Sequence, residues 1–189
     1  MLPGAGVPSG PGSTRGARPR RHRLPRLVAL FVLPLALAGG APAVAASGNG
    51  EQSVTVRTPD GGLVAQVPLR GNGFAVSYRN SVYGTVAEER YRVAPDGRFE
   101  LVELAADQSA VLEEYYAVPG APRPAPAGDR RAYVAAPDPA RPAVFGDLNI
   151  AATDLGERTL WVPGSAPVHV WQRVVGDNPT VLLEIEETK

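Results

Sequence analysis

Between Phe74 and Leu104 the sequence reads as two-residue alternation broken by one tight turn, and that pattern leaves little room for anything but antiparallel strands. Phe74, Val76 and Tyr78 share one face of a strand, because side chains two apart point the same way. Val93-Ala94-Pro95-Asp96-Gly97 then separates two β-type runs, Thr85 to Val93 and Arg98 to Leu104. Asp-Gly in that setting supplies the positive φ that a hairpin turn needs. Unbroken alternation places Phe99, Leu101 and Glu103 on one face and Glu100, Val102 and Leu104 on the other. The second strand is therefore expected to be covered on both sides.

The rest of the chain repeats the theme. Ser53 to Thr58 and Leu63 to Pro68 flank Pro59-Asp60-Gly61-Gly62, which predicts a first hairpin, and Arg70-Gly71-Asn72-Gly73 is a turn. Thr159 to Val162, Val168 to Val175 and Val181 to Glu187 are three further β-type runs. Asp107 to Tyr116 fits a helical turn or a strand. Val118 to Pro142 is rich in proline, which fixes φ and donates no backbone hydrogen bond; it predicts a long surface loop, with one short strand at Arg131 to Ala135. No stretch carries apolar residues at i, i+3, i+4 and i+7 over three turns, so no long helix is expected. The fold class predicted is all-β: one small sandwich or open barrel of about eight or nine short strands over residues 53–189, with a Pro-rich loop at 118–142.

The first 46 residues differ in kind. Arg15, Arg18, Arg20, Arg21, Arg23 and Arg26 precede an apolar run, Leu27 to Ala38, and small residues follow at Ala41 to Ala46. A basic lead, a short apolar core and an Ala-x-Ala exit are the parts of a secretory signal peptide, followed by a spacer at 47–52. The apolar run is shorter than the roughly 20 residues that cross a bilayer. The expected location is extracytoplasmic, or membrane-anchored if the signal is left uncut. No cysteine occurs, which rules out disulfide staples and a lipid-bearing thiol. The whole chain balances 19 basic against 19 acidic residues; without the leader it holds 13 against 19, about −6. An acidic module is a poor partner for nucleic acid or anionic lipid.

Residues for catalysis are sparse. Beyond the leader the only histidine is His169, on an alternating run, where a solvent-facing or sheet-satisfied ring is the plain expectation. Asp147, Asn149 and Asp154 bring oxygen ligands to one loop but lack the spacing of a calcium loop, and no metal or cofactor is expected. Glu88 and Glu89 are adjacent, so on a strand they face opposite sides. Trp161 and Trp171 are the aromatic surfaces that stack on a sugar ring if exposed.

The frame Phe74-Ala75-Val76-Ser77-Tyr78-Arg79-Asn80-Ser81-Val82, then Thr85-Val86-Ala87-Glu88-Glu89-Arg90-Tyr91-Arg92-Val93 and Asp96-Gly97, resembles the bacterial family catalogued as domain of unknown function 1850. Asn80 stands where that family commonly has histidine. The resemblance implies an exported, non-enzymatic accessory protein encoded beside a tripartite ATP-independent periplasmic (TRAP) transporter, whose permease or TAXI-type solute receptor is the implied partner. It also marks Tyr78, Asn80, Ser81 and Glu89 as the candidate ligand- or partner-binding site. Two other readings remain open: a cell-envelope carbohydrate-binding module using Trp161, Trp171 and Tyr115-Tyr116, and a hydrolase using Ser81 with Glu89.

Overall fold

Glycine at the two sharpest hairpin corners sets the course of the chain. Gly61 (φ 90°) closes the turn between β1 (Glu51–Arg57) and β2 (Leu63–Pro68), and Gly97 (φ 80°) closes that between β4 (Val86–Val93) and β5 (Phe99–Ala106). L-residues with a Cβ adopt that backbone region at a cost. In the second turn the Gly97 N–H donates to the Ala94 carbonyl at 3.0 Å and the Arg98 N–H to Asp96 Oδ1 at 3.1 Å. The computed structural model describes residues 51–174 and 178–188, and the signal segment lies outside them.

β3 (Gly73–Arg79) follows the first hairpin. After β5 come a π-helical turn (Val111–Tyr115), β6 (Arg123–Pro124), β7 (Tyr133–Ala135), β8 (Val144–Phe145), β9 (Asp147–Ala151), β10 (Thr159–Trp161) and β11 (Val168–His169). A 3-10 turn (Val170–Gln172) leads to the last strand, β12 (Thr180–Thr188). Two antiparallel sheets result. The smaller has the order β2-β1-β12-β9; the larger runs β11-β10-β3-β4-β5-β7-β6, with β8 paired to β5. The chain is thus all-β and sandwich-like.

The inward faces meet in one core. Val54 and Val56 of β1, Val181 and Leu183 of β12 and Ile150 of β9 pack with Phe74, Val76, Tyr91, Val93, Phe99 and Leu160 of the larger sheet. Phe99 is fully buried, with ring centroids 5.2 Å from Phe74, 5.4 Å from Tyr91 and 5.8 Å from Phe145. A second cluster, Tyr78, Ala87, Leu104, Ala106, Val111 and Leu112, lies where the π-helical turn packs on β3, β4 and β5.

Four expectations are corrected. Glu51 and Gln52 belong to β1 and pair with Thr188 and Glu187, so they are not spacer. Val168 to Val175 is not one strand; it bends into the 3-10 turn after His169. Asp147 and Asn149 are not loop ligands but lie on β9, paired with β12. Finally, β5 does not alternate unbroken. Arg90 pairs with Glu103 and Tyr91 with Leu101, so Val102 is an extra residue in a β-bulge. Phe99 and Leu101 face the core, and after the bulge Leu104 and Ala106 do, which turns Glu103 to the opposite face. The Pro-rich loop is present but tied down, since β6 and β7 within it extend the larger sheet.

Phe99→Ala is expected to cost about 3–5 kcal/mol through lost burial and the cavity left behind, read as a lowered denaturation midpoint.

Candidate functional site

Consecutive glutamates on β4 point to opposite faces of the larger sheet, and each organises its own side. Glu88 is directed outward yet has no exposure. It accepts from Arg90 Nε at 2.8 Å and from Arg130 Nη2 at 2.6 Å and Nε at 3.1 Å. Arg131 Nε makes no hydrogen bond but stands 3.5 Å from Glu88 Oε2, so its contribution is Coulombic. Arg90 also donates to Asp129 at 2.6 and 2.9 Å and to Glu103 at 2.8 Å, the residue re-aimed by the bulge. Arg123 reaches Glu103 at 3.3 Å, and Arg131 reaches Asp107 at 3.2 Å. Four arginines and four carboxylates therefore fasten the Pro-rich loop onto the outer face.

Burial pushes the Glu88 carboxyl up, but the guanidiniums of Arg130 and Arg90 outweigh it and hold the group below its ordinary value. Arg90 holds Asp129 down to about 2. Arg90 itself is raised, chiefly by the Asp129 hydrogen bonds.

Glu89 faces inward at the end of the sandwich. Tyr91 Oη donates to Oε2 at 2.7 Å and Tyr116 Oη to Oε1 at 2.8 Å, while Tyr78 Oη donates to Tyr116 Oη at 2.8 Å. Burial raises all three phenols, Tyr78 to about 12, so they serve as donors at any physiological pH. The Arg158 guanidinium lies 4.1 Å above the Tyr78 ring.

The structure thus joins Tyr78 to Glu89 through Tyr116. Asn80 is buried and occupied: its Oδ1 accepts from the Val82 N–H at 3.0 Å and the Tyr83 N–H at 3.1 Å, and its backbone closes the turn with Thr85 and Gly84. That is an Asx-type turn, the local bonding Asn favours. Ser81 is exposed on the same turn. Tyr78, Asn80 and Ser81 line a recess of about 290 Å³ with Tyr115 and Arg158; Glu89 does not line it.

Trp161 and Trp171 line one outer cleft of about 240 Å³ with His169 and Ser77. The Trp161 indole N–H donates to Ser77 Oγ at 2.9 Å, and Arg130 stacks 4.7 Å from its ring centroid. Tyr115 and Tyr116 do not join them: Tyr116 is bound to Glu89, and Tyr115 lines the recess around Ser81. His169 is exposed on β11, with Nδ1 3.1 Å from Thr159 Oγ1. Among the described residues, no group of three or more His, Asp or Glu is placed to hold a metal ion.

Sequence reading missed Arg158 and the arginines of the loop, and gave Tyr116 a sugar-stacking role where the structure has it bridging Tyr78 and Glu89. Tyr116 and Arg158 lie 27 and 69 positions beyond Glu89, and no local spacing announces either. The chain matches no family model, no curated protein and no solved structure.

Glu88→Ala leaves three guanidiniums around an empty position and is expected to cost about 3–5 kcal/mol at neutral pH. Carboxylates depressed in the fold stabilise it above their unfolded values, and that stability drains as pH falls through the folded ones. Wild-type stability should therefore decline below about pH 4, with the Asp129 share gone near pH 2. Over that range the gap between Glu88→Ala and wild type narrows. Urea titrations at stepped pH read both effects.

Proposed function

We propose that this chain is a non-enzymatic, exported binding protein that acts as an accessory to a TRAP-type solute transporter with a TAXI-type receptor. The observation that carries the reading is the fate of the polar residues in the β3–β4 frame. Glu89 is closed off by two phenol donors and Asn80 is spent on its turn. Ser81, Tyr115 and Arg158 remain around a recess open to solvent. Such an arrangement holds groups in place and offers Ser81 no poised base, which favours recognition over nucleophilic chemistry. The resemblance of the β3–β4 frame and the basic-apolar-small leader are what suggest the transporter context and the extracytoplasmic setting.

Cross-linking in intact cells, followed by affinity capture of the chain from solubilised membranes, is expected to recover the permease or the solute receptor. Recovery of neither, with the chain itself efficiently captured, overturns the reading.

A second reading has its own support. Trp161 and Trp171 share one cleft, and paired indoles are the usual stacking surface for sugar rings. On that reading the chain is a cell-envelope carbohydrate-binding module. Titration with peptidoglycan fragments should then shift tryptophan emission saturably, and a flat titration removes it.

A further inference from the structure

Arg158 is anomalous among the arginines. Arg57, Arg90 and Arg131, the other half-buried ones among the described residues, each reach at least one carboxylate. Arg158 is half-buried too, yet among the described residues it makes no ion pair; its contact is the ring of Tyr78 at 4.1 Å. A partly desolvated cation without a counter-charge is costly unless something supplies one.

Its platform is rigid. Tyr78 is 6% exposed and its hydroxyl is tied through Tyr116 to Glu89, so the ring beneath the guanidinium cannot easily turn away. Stacking uses the guanidinium's face and leaves its N–H edge for hydrogen bonds. The only other charged side chain lining the recess is Arg79, which is neutralised by Glu157 at 2.9 Å. One guanidinium without an ion pair therefore remains beside a hollow of about 290 Å³, while the Glu89 carboxylate, held by neutral donors, shares the Tyr78 network on which that guanidinium stacks.

The other walls are mixed. Leu155, 77% exposed, and Tyr115, 56% exposed, offer apolar surface at the rim, and Ser81 offers a hydroxyl. Thr153 Oγ1 is already used, accepting from the Gly156 N–H at 3.1 Å.

We infer that this recess binds a small organic monocarboxylate: the carboxylate pairs with the Arg158 guanidinium and the Ser81 hydroxyl, and an apolar body rests between Tyr115 and Leu155. A single carboxylate matches the single recess-lining guanidinium that makes no ion pair. A phosphate dianion brings a second charge that nothing in the recess neutralises. The inference deepens the binding-protein reading by naming the ligand class, and it does not depend on which membrane partner the chain has.

Calorimetric titration of the full-length chain with benzoate, its neutral isostere benzamide and inorganic phosphate tests it. Benzoate is expected to bind with a Kd below about 1 mM, and benzamide and phosphate at least about tenfold more weakly. Arg158→Gln should weaken benzoate by about tenfold or more with the melting temperature kept. Should that variant fail to fold, Ser81→Glu, on an exposed turn, places a carboxylate in the recess and should abolish benzoate binding. Equal binding of benzoate and benzamide, tighter binding of phosphate, or undiminished benzoate binding in either folded variant overturns the inference. Membrane capture is scored separately, so loss of the ligand with the transporter still recovered sinks the ligand class alone.

Discussion

A carboxylate with no solvent exposure has to be surrounded, and in this molecule the surrounding of Glu88 decides where some 25 residues of loop lie. Two hydrogen-bonded guanidiniums and a third at 3.5 Å converge on it, and two of the three come from the Pro-rich segment. Proline cannot donate a ladder hydrogen bond, and the strands within that segment are two and three residues long. Backbone pairing alone is thus a weak fastening. The ionic cluster supplies the rest, and because Glu88 and Asp129 are shielded, salt weakens it less than it would an exposed set. Such clusters are not efficient sources of stability, since desolvation consumes much of the attraction. They do specify geometry, and here the geometry specified is the lie of a loop that would otherwise have many alternatives.

The neighbouring glutamate does the reverse on the inner face. Glu89 is held by neutral donors, and the chain of hydroxyls from Tyr91 and Tyr116 to Tyr78 stiffens the end of the sandwich where the β3–β4 turn emerges. One dipeptide therefore anchors two unrelated networks. The consequence for function is indirect: the Tyr78 ring is immobilised, and the side chain stacked on it inherits that order. Binding surfaces gain from such prior ordering because less freedom is lost on association.

The strand framework was legible because its signals are local. Alternation at Phe74, Val76 and Tyr78 and the Asp96-Gly97 corner each depend on residues a few positions apart, and the structure has them as β3 and as the β4–β5 turn. The opposed faces of Glu88 and Glu89 were legible for the same reason. What was hidden is non-local. β9 was read as a loop on its Asp147 and Asn149, although Leu148 and Ile150 alternate with them, and pairing along β12 makes it a strand. The break after His169 was invisible because Val170 and Trp171 carry high strand propensity, and tertiary packing overrode it. The candidate site was half legible. Tyr78 and Ser81 do line one recess, whereas Asn80 is consumed by its turn and Glu89 belongs to a different set of contacts. Arg158, brought over by β10 pairing with β3, had no signature of its own.

The supernumerary Val102 makes β5 a strand that is read in two phases. Upstream of it odd positions enter the core; downstream even ones do. Loss of that one residue would restore a regular ladder with Leu101 still opposite Tyr91 and Glu103 still opposite Arg90, whereas flattening the bulge with Val102 retained would exchange inside for outside over one half of the strand, driving an acid into hydrocarbon and stranding Arg90. Length variation by one residue among natural versions of this chain should therefore gather in the corners and at this bulge, and spare the regular stretches of β5.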